Sequence, residues 1–197
     1  MIIEIKGGGF INKGAQLMLQ TLIAEKNWFS DDCKFVMHMA SGSFADRNSC
    51  QLGHLAWLHT WNYLPAAILT NTFFSCFSRK VRKKYNIWLK NEIEGVLDIS
   101  GFIYSDHFGP KPCNRMADYY KQLRNAGAKI IIMPQAMGPF KNPDVKASVL
   151  EIIDAAELVF IRDEVSFGHV TELAGRLERI VYAPDFTLSL MGVEKEE

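Results

Sequence analysis

Glycines and polar residues follow several short apolar runs, and their types suit the binding of an anionic ligand. Gly7-Gly8-Gly9 ends the first run, and Asn12-Lys13-Gly14 follows after two further residues. Glycines let backbone N–H groups approach an anion, and a helix N-terminus with a neighbouring lysine favours negative charge. Gly9, Asn12 and Lys13 are therefore candidate binding residues. A tight turn between a strand and a helix explains the same run equally well.

The glycine run is a poor match to a dinucleotide-binding fingerprint. In a Gly-x-Gly-x-x-Gly frame that starts at Gly7, Asn12 occupies the position of the third glycine. The second apolar run ends in Ala40-Ser41-Gly42, without the acid that would bind a ribose. A nicotinamide cofactor is not favoured.

Arg162 is the strongest candidate for holding an anion, because it directly follows an apolar run. Its planar guanidinium can bind a carboxylate or a phosphate through two parallel hydrogen bonds. The alternative is an ion pair within the fold, with Asp163, Glu164 or another nearby acid. Spacing alone slightly favours the ion pair.

Proton transfer needs a group that can hold and release a proton near neutral pH. Asp98 and His107 are the candidate catalytic residues, and histidine has the more suitable proton affinity. A lone histidine is more often structural. Asp98 and Asp185 are either acids at a binding crevice or residues that form turns, and the turn is the commoner role beside glycine or proline.

The elements that must position these residues are predicted from apolar periodicity. Short β-branched runs alternate with amphipathic segments, which is typical of an α/β fold with a Rossmann-like, mostly parallel sheet and helices on both faces. The predicted strands are Ile2 to Lys6, Lys34 to Ala40, Gly95 to Ile99, Lys129 to Met133, Leu158 to Arg162 and Arg179 to Ala183. The predicted helices include Lys13 to Glu25, with Asn12 as its N-cap, Arg115 to Arg124 and Asp144 to Ala156.

The segment from Ser43 to Tyr85 is irregular in pattern, and we interpret it as an insertion of helices and a loop. Ligands of open parallel sheets bind beyond the carboxyl ends of the strands. We therefore expect the candidate residues to lie along one edge of a single sheet. They are Gly9, Asn12, Asp98, Gln135, Arg162 and Asp185.

Composition limits the class of protein. The chain has 197 residues, 48% of them hydrophobic, and Lys plus Arg equals Asp plus Glu at 22 each. This length fits one domain, and the absence of a basic surplus argues against nucleic-acid binding. The four cysteines form no Cys-x-x-Cys pair, so we predict no metal site and expect reduced thiols in the cytoplasm. No membrane span is predicted, because polar residues interrupt the apolar stretch from Trp57 to Phe77.

A basic run, Arg79-Lys80-Val81-Arg82-Lys83-Lys84, follows Phe73, Phe74 and Phe77. It is a candidate for peripheral contact with an anionic membrane surface or with a lipid-linked substrate. A solvated helix face is the more ordinary interpretation.

Taken together, the motifs at consecutive strand ends resemble those of the polysaccharide pyruvyl transferase family. The motifs are Gly8-Gly9-Phe10-Ile11-Asn12-Lys13-Gly14-Ala15, Asp98-Ile99-Ser100-Gly101-Phe102, Pro134-Gln135-Ala136-Met137-Gly138-Pro139-Phe140, Ile161-Arg162-Asp163-Glu164-Val165-Ser166 and Ala183-Pro184-Asp185. Their order and spacing match from Met1 to about Leu190. Many members carry Gly-Asp where this chain has Gly14-Ala15, so an acid role at this position is excluded here.

The resemblance implies an enzyme that moves a pyruvyl unit from phosphoenolpyruvate to a pair of sugar hydroxyls in exopolysaccharide or another cell-surface glycan. Phosphoenolpyruvate is the donor substrate, no further cofactor is implied, and the acceptor is a glycan or a lipid-linked sugar. On this basis Arg162 would clamp the donor, Asp98 or His107 would move protons, and Gln135 and the backbone after Gly138 would position the acceptor. The location implied is the cytoplasm, at the inner face of the membrane where the acceptor is lipid-linked.

The family resembles two-domain glycosyltransferases, and residues 1–190 correspond to one Rossmann-like half followed by a charged tail at 191–197. We expect the second half to be absent, and hence an exposed apolar surface and self-association. Two other functions stay open. One is a glycosyltransferase-like domain that uses a nucleotide sugar, and the other is a catalytically silent module that binds a glycan or a partner chain.

Overall fold

The strands that the structure describes form one parallel sheet. A computed structural model describes residues 1–29, 32–57 and 64–190. The strands are β1 (Ile2–Lys6), β2 (Lys34–His38), β3 (Gly53–Leu55), β4 (Ile87–Trp88), β5 (Gly95–Asp98), β6 (Lys129–Gln135), β7 (Leu158–Ile161) and β8 (Ile180–Tyr182). Their order is β4-β3-β2-β1-β5-β6-β7-β8, and every neighbouring pair is parallel. The predicted Rossmann-like α/β fold is confirmed.

Helices connect these strands. They are α1 (Lys13–Ala24), α2 (Phe44–Ser49), α3 (Leu64–Ser75), α4 (Arg79–Lys84), α5 (Pro110–Asn125), α6 (Pro143–Ala155) and α7 (Glu164–Ala174). Short 3-10 helices lie at Lys26–Trp28, Lys90–Glu92, Asp106–Phe108 and Phe186–Ser189. Within the described ranges, none of the helices is long and apolar enough to cross a bilayer.

The sheet is covered on both faces, because its strands place alternate side chains on opposite sides. On one face, Val96 and Ile130 pack in a cluster with buried residues of α5 and α6. On the other face, Ile3 and Leu97 pack with buried residues of α1. Burial on both sides is what a parallel sheet requires.

The six predicted strands are confirmed, with ends within two residues of those expected. The predicted helix from Arg115 begins earlier, at Pro110, because proline is well tolerated in the first turn of a helix. The segment from Ser43 to Tyr85 was expected to hold helices and a loop, and it also contributes β3 to the sheet. Strands of two or three residues, such as β4 and β3, are too short to show alternation in the sequence.

Two contacts organise this irregular segment. The guanidinium of Arg47, buried on α2, donates to the carbonyls of Ser41 and Gly42 and to Nδ1 of His54 on β3. A Cβ at Gly53 would lie 2.8 Å from the Trp88 ring, so glycine permits the close approach of β3 and β4. The predicted charged tail at 191–197 lies outside the described residues.

Candidate active site

The crevice lies where the chain changes direction in the sheet. From β1 the chain passes through α1 to β2 on one side, and from β5 it passes through α5 to β6 on the other. The two helices lie on opposite faces, so a gap opens between the carboxyl ends of β1 and β5. A cavity of about 170 Å³ occupies this gap, with Lys6, Gly7, Ser100 and Arg115 in its wall.

Lys6, at the end of β1, is held in that wall by a buried carboxylate. Its ammonium lies 3.7 Å from Oε1 of the fully buried Glu4 and 4.6 Å from the centre of the Tyr119 ring. The Tyr119 hydroxyl donates to Oε2 of Glu4 at 2.7 Å. Burial raises the pKa of Glu4 above its ordinary value, although the charge of Lys6 opposes this shift. Lys6 was not predicted as a site residue, although a glutamate and a lysine two positions apart in an apolar strand are its signal in the sequence.

Asp98, predicted as a catalytic residue, is fully buried at the end of β5. Its Oδ1 accepts from the backbone N–H of Ser100 at 2.8 Å and from the Ser100 hydroxyl at 2.5 Å. Its Oδ2 accepts from the hydroxyls of Tyr104 and Tyr120, the latter at 2.8 Å. Burial raises the pKa of both tyrosines well above the ordinary value, so both stay protonated donors. These contacts favour a role for Asp98 in anchoring α5 to β5.

The loop after β1 is tightly constrained at its start and open further on. Gly7 has φ +80°, and a Cβ there would collide with Ser100 beyond β5. Gly9, by contrast, has room for a side chain. Asn12 is the predicted N-cap of α1, since its Oδ1 accepts from the N–H groups of Gly14 at 2.9 Å and Ala15 at 3.2 Å.

Lys13 begins α1 and is exposed to solvent. Its ammonium donates to Oε1 of Gln16 at 3.4 Å, one turn along the helix. Such an exposed contact adds little to the free energy of unfolding, so this lysine can exchange its partner for an anionic ligand.

The last residue of β6 carries a buried side chain without a hydrogen-bond partner in the ranges that the structure describes. Gln135 is fully buried, and neither side-chain heteroatom has a hydrogen-bond partner among the described residues. Gly138 has φ +90°, and its N–H donates to the carbonyl of Tyr104 at 2.8 Å. The next residue, Pro139, has no N–H, and its carbonyl accepts from Asp106. The backbone after Gly138 is therefore engaged within the fold, and Gln135 is the better candidate to contact a ligand.

Arg162, directly after β7, pairs with Asp185, which follows the neighbouring strand β8. Nη1 of Arg162 lies 3.0 Å from Oδ2 of Asp185, and both side chains are about 30% exposed. Oδ1 of Asp185 accepts from the N–H and the hydroxyl of Thr187, so Asp185 also caps a helical turn. Asp163 instead caps α7. The ion pair expected as the alternative is present, and its exposure leaves Arg162 accessible.

His107 lies on the short 3-10 helix that leads into α5. It is exposed, and its ring packs edge-on against Phe108 at 4.9 Å. No contact with Asp98 is seen in the described part of the chain, so the two predicted catalytic residues do not form a pair.

The expected alignment of the candidate residues is confirmed by the topology. Gly9 and Asn12 follow β1, Asp98 and Gln135 end β5 and β6, and Arg162 and Asp185 follow β7 and β8. Because all these strands are parallel, the six residues lie at one edge of the sheet. Large apolar side chains are exposed in the same loops, among them Ile11 at 95% and Leu188 at 78%.

A comparison with models of known protein families gives a match. Residues 53–197 match the family model described as polysaccharide pyruvyl transferase. The match covers more than half of the chain, so the chain belongs to the polysaccharide pyruvyl transferase family. It includes the motifs at Asp98, Gln135, Arg162 and Asp185, whereas the glycine run after β1 lies before it. Searches of curated proteins and of solved structures gave no match.

Proposed function

We propose that this chain transfers a pyruvyl unit from phosphoenolpyruvate to two hydroxyls of a sugar in a polysaccharide or its lipid-linked precursor. The observation that carries the proposal is the family match over residues 53–197. The crevice supports it, because cations and polar groups lie at the carboxyl edge where parallel sheets bind their ligands.

The reaction makes specific demands on the site. The methylene carbon of the donor gains a proton, a sugar hydroxyl attacks the adjacent carbon, and phosphate leaves with its bonding electrons. A second hydroxyl then attacks the same carbon, giving a cyclic ketal, and both hydroxyl protons are released. The site must therefore hold a carboxylate and a phosphate and must move protons.

Arg162 is the proposed donor clamp. Its one side-chain hydrogen bond within the described residues is to Asp185, and an ion pair that is partly open to solvent on both sides is weak enough to be exchanged for a donor anion. Lys6 and Arg115, in the wall of the crevice cavity, add a second cationic position that was not predicted from the sequence.

His107 is the proposed acid/base group, because Asp98 is enclosed by donors from the fold. Gln135 is proposed to position the acceptor sugar, whose hydroxyls would satisfy its side-chain amide. Replacing His107 by Gln should lower the rate of phosphate release and leave donor affinity unchanged.

The donor clamp is tested by titrating phosphoenolpyruvate, by calorimetry, into the wild type and into Arg162→Lys. The lysine keeps the charge and loses the bidentate geometry, so binding should weaken by about 1.5–3 kcal/mol. The melting temperature should change little, because lysine keeps the positive charge opposite Asp185 and the pair is partly open to solvent. Arg176→Lys, at an exposed arginine after α7, is the matched control. Unchanged affinity with a lower melting temperature would show that Arg162 serves only the ion pair.

A further inference from the structure

A surface at the β4 end of the sheet combines exposed apolar side chains with lysines. It is formed by α3, α4, the residues between these two helices and the residue after α4, and we call it the aromatic–basic surface. Its apolar members include Leu69, Phe73, Phe77 and Tyr85, which are 67%, 59%, 42% and 60% exposed. Its exposed lysines are Lys80, Lys83 and Lys84.

The charge of this region is one-sided. In a chain of zero formal charge, no acidic residue occurs between Asp46 and Glu92. Glu92 is itself engaged with two arginines, at 2.5 Å from Nη1 of the buried Arg82 and 3.2 Å from Nε of Arg79. The predicted solvated helix face is therefore only partly correct, since Arg82 points into the fold. The two arginines and Glu92 together leave one positive charge, and the three lysines add three more.

The aromatic side chains form a preassembled cluster. The ring of Phe73 lies 5.2 Å from that of Phe74 and 5.4 Å from that of Phe77, in edge-to-face geometry. α3 is tied to the sheet end by Asn71, whose Oδ1 accepts from the N–H of Lys90. The cluster is thus held on the body of the protein while its outer side is in water.

We propose that the aromatic–basic surface docks the protein onto membranes that contain anionic lipids. Phenylalanine and leucine side chains enter the boundary between headgroups and acyl chains, and neighbouring lysines bind the lipid phosphates. A nucleic acid or an acidic protein would use the lysines but would gain little from phenylalanines whose rings already pack edge to face against each other. This proposal goes beyond pyruvyl transfer, and vesicle binding tests it without any donor or acceptor.

The experiment is co-sedimentation of the full chain with vesicles of phosphatidylcholine alone or mixed with phosphatidylserine. The wild type should bind only the anionic vesicles, and added salt should release it. Each lysine at such a surface contributes about fivefold to partitioning, so Lys80→Gln/Lys83→Gln/Lys84→Gln should bind about 100-fold more weakly. Three exposed lysines on α5 and α6, outside the aromatic–basic surface, provide the charge-matched control. The variant Lys111→Gln/Lys121→Gln/Lys146→Gln should bind like the wild type.

The apolar part is tested by Phe73→Ser/Phe77→Ser, which should also lose binding to anionic vesicles. Its control is Val165→Ser/Leu188→Ser, two apolar residues that are 70% and 78% exposed at the carboxyl edge of the sheet. Release of the wild-type protein from anionic vesicles by added salt requires no substitution. This measurement therefore tests the proposal even if a variant fails to fold. Salt-independent binding, equal binding to neutral vesicles, or retained binding by the serine variant overturns lipid docking. Dimers in sedimentation velocity that the serine variant abolishes, without vesicle binding, would assign the surface to a second copy of the chain.

Discussion

Replacing Asp98 by Asn separates an anchoring role from proton transfer, because the substitution keeps the shape of the side chain and removes its charge. An asparagine has one oxygen and one amide, and the amide nitrogen cannot accept a hydrogen bond. The backbone N–H of Ser100 needs an acceptor, so we expect the oxygen to take the place of Oδ1. The amide then faces the hydroxyls of Tyr104 and Tyr120, which lose their common acceptor.

The expected cost follows from these two bonds. A hydrogen bond to a charged group contributes about 1.5–3 kcal/mol, and two are lost. Part of the loss is recovered, because the hydroxyls can rotate to accept from the amide and no charge remains to be buried. The free energy of unfolding should therefore fall by about 2–4 kcal/mol, a large part of the roughly 5–15 kcal/mol typical of a domain.

Urea unfolding followed by circular dichroism measures this change, and calorimetry measures donor affinity in the same samples. Asp118→Asn, at an exposed position on α5, is the matched control and should change the unfolding free energy by less than about 0.5 kcal/mol. Tyr120→Phe removes one donor and should give a smaller loss than Asp98→Asn. An Asp98→Asn protein that unfolds at the same urea concentration as the wild type but has lost activity would refute the anchoring role.

Three further substitutions or measurements probe groups outside the donor clamp. Burial raises the folded-state pKa of Glu4 above its ordinary 4.5, so the folded protein holds a proton on Glu4 at pH values where the unfolded chain has lost it. The unfolding free energy should therefore fall as the pH rises from 4.5 through the folded-state pKa. Urea titrations at a series of pH values measure this dependence, and Glu4→Gln should flatten it. Burial raises the pKa of the Cys113 thiol to about 11, so a thiol reagent at mild alkaline pH should label the exposed Cys76 long before Cys113, as peptide mass mapping would show. Gly138→Ala should lower the unfolding free energy by more than about 1–2 kcal/mol, since the position has φ +90° and the new Cβ would lie 2.8 Å from a histidine of α7; an unchanged urea midpoint would contradict this.

The sheet was predictable because its central strands are strongly apolar and its helices carry local end signals. β6 shows a run of three isoleucines, and Asn12 caps α1 within its own turn. β3 and β4 were missed because two or three residues give no pattern, and their pairing depends on a tryptophan packing over Gly53.

The site was less predictable, because its contacts join residues distant in sequence. The sequence could not choose between Asp163, Glu164 and other acids as the partner of Arg162, whereas the pairing of β7 with β8 selects Asp185. The tyrosines that enclose Asp98 come from two different segments, the loop after β5 and α5, and only folding brings them together.

The two ends of the sheet limit how copies of this protein can associate. β4 has two residues and β8 three, whereas the interior strand β6 has seven. Short edge strands present few unpaired backbone groups, so they are poor templates for adding a strand from another molecule. Any self-association should therefore use side-chain surfaces, such as the loops at the carboxyl edge in which Ile11 and Leu188 are exposed. Assembly through that edge would close the site between two chains and exclude water from it.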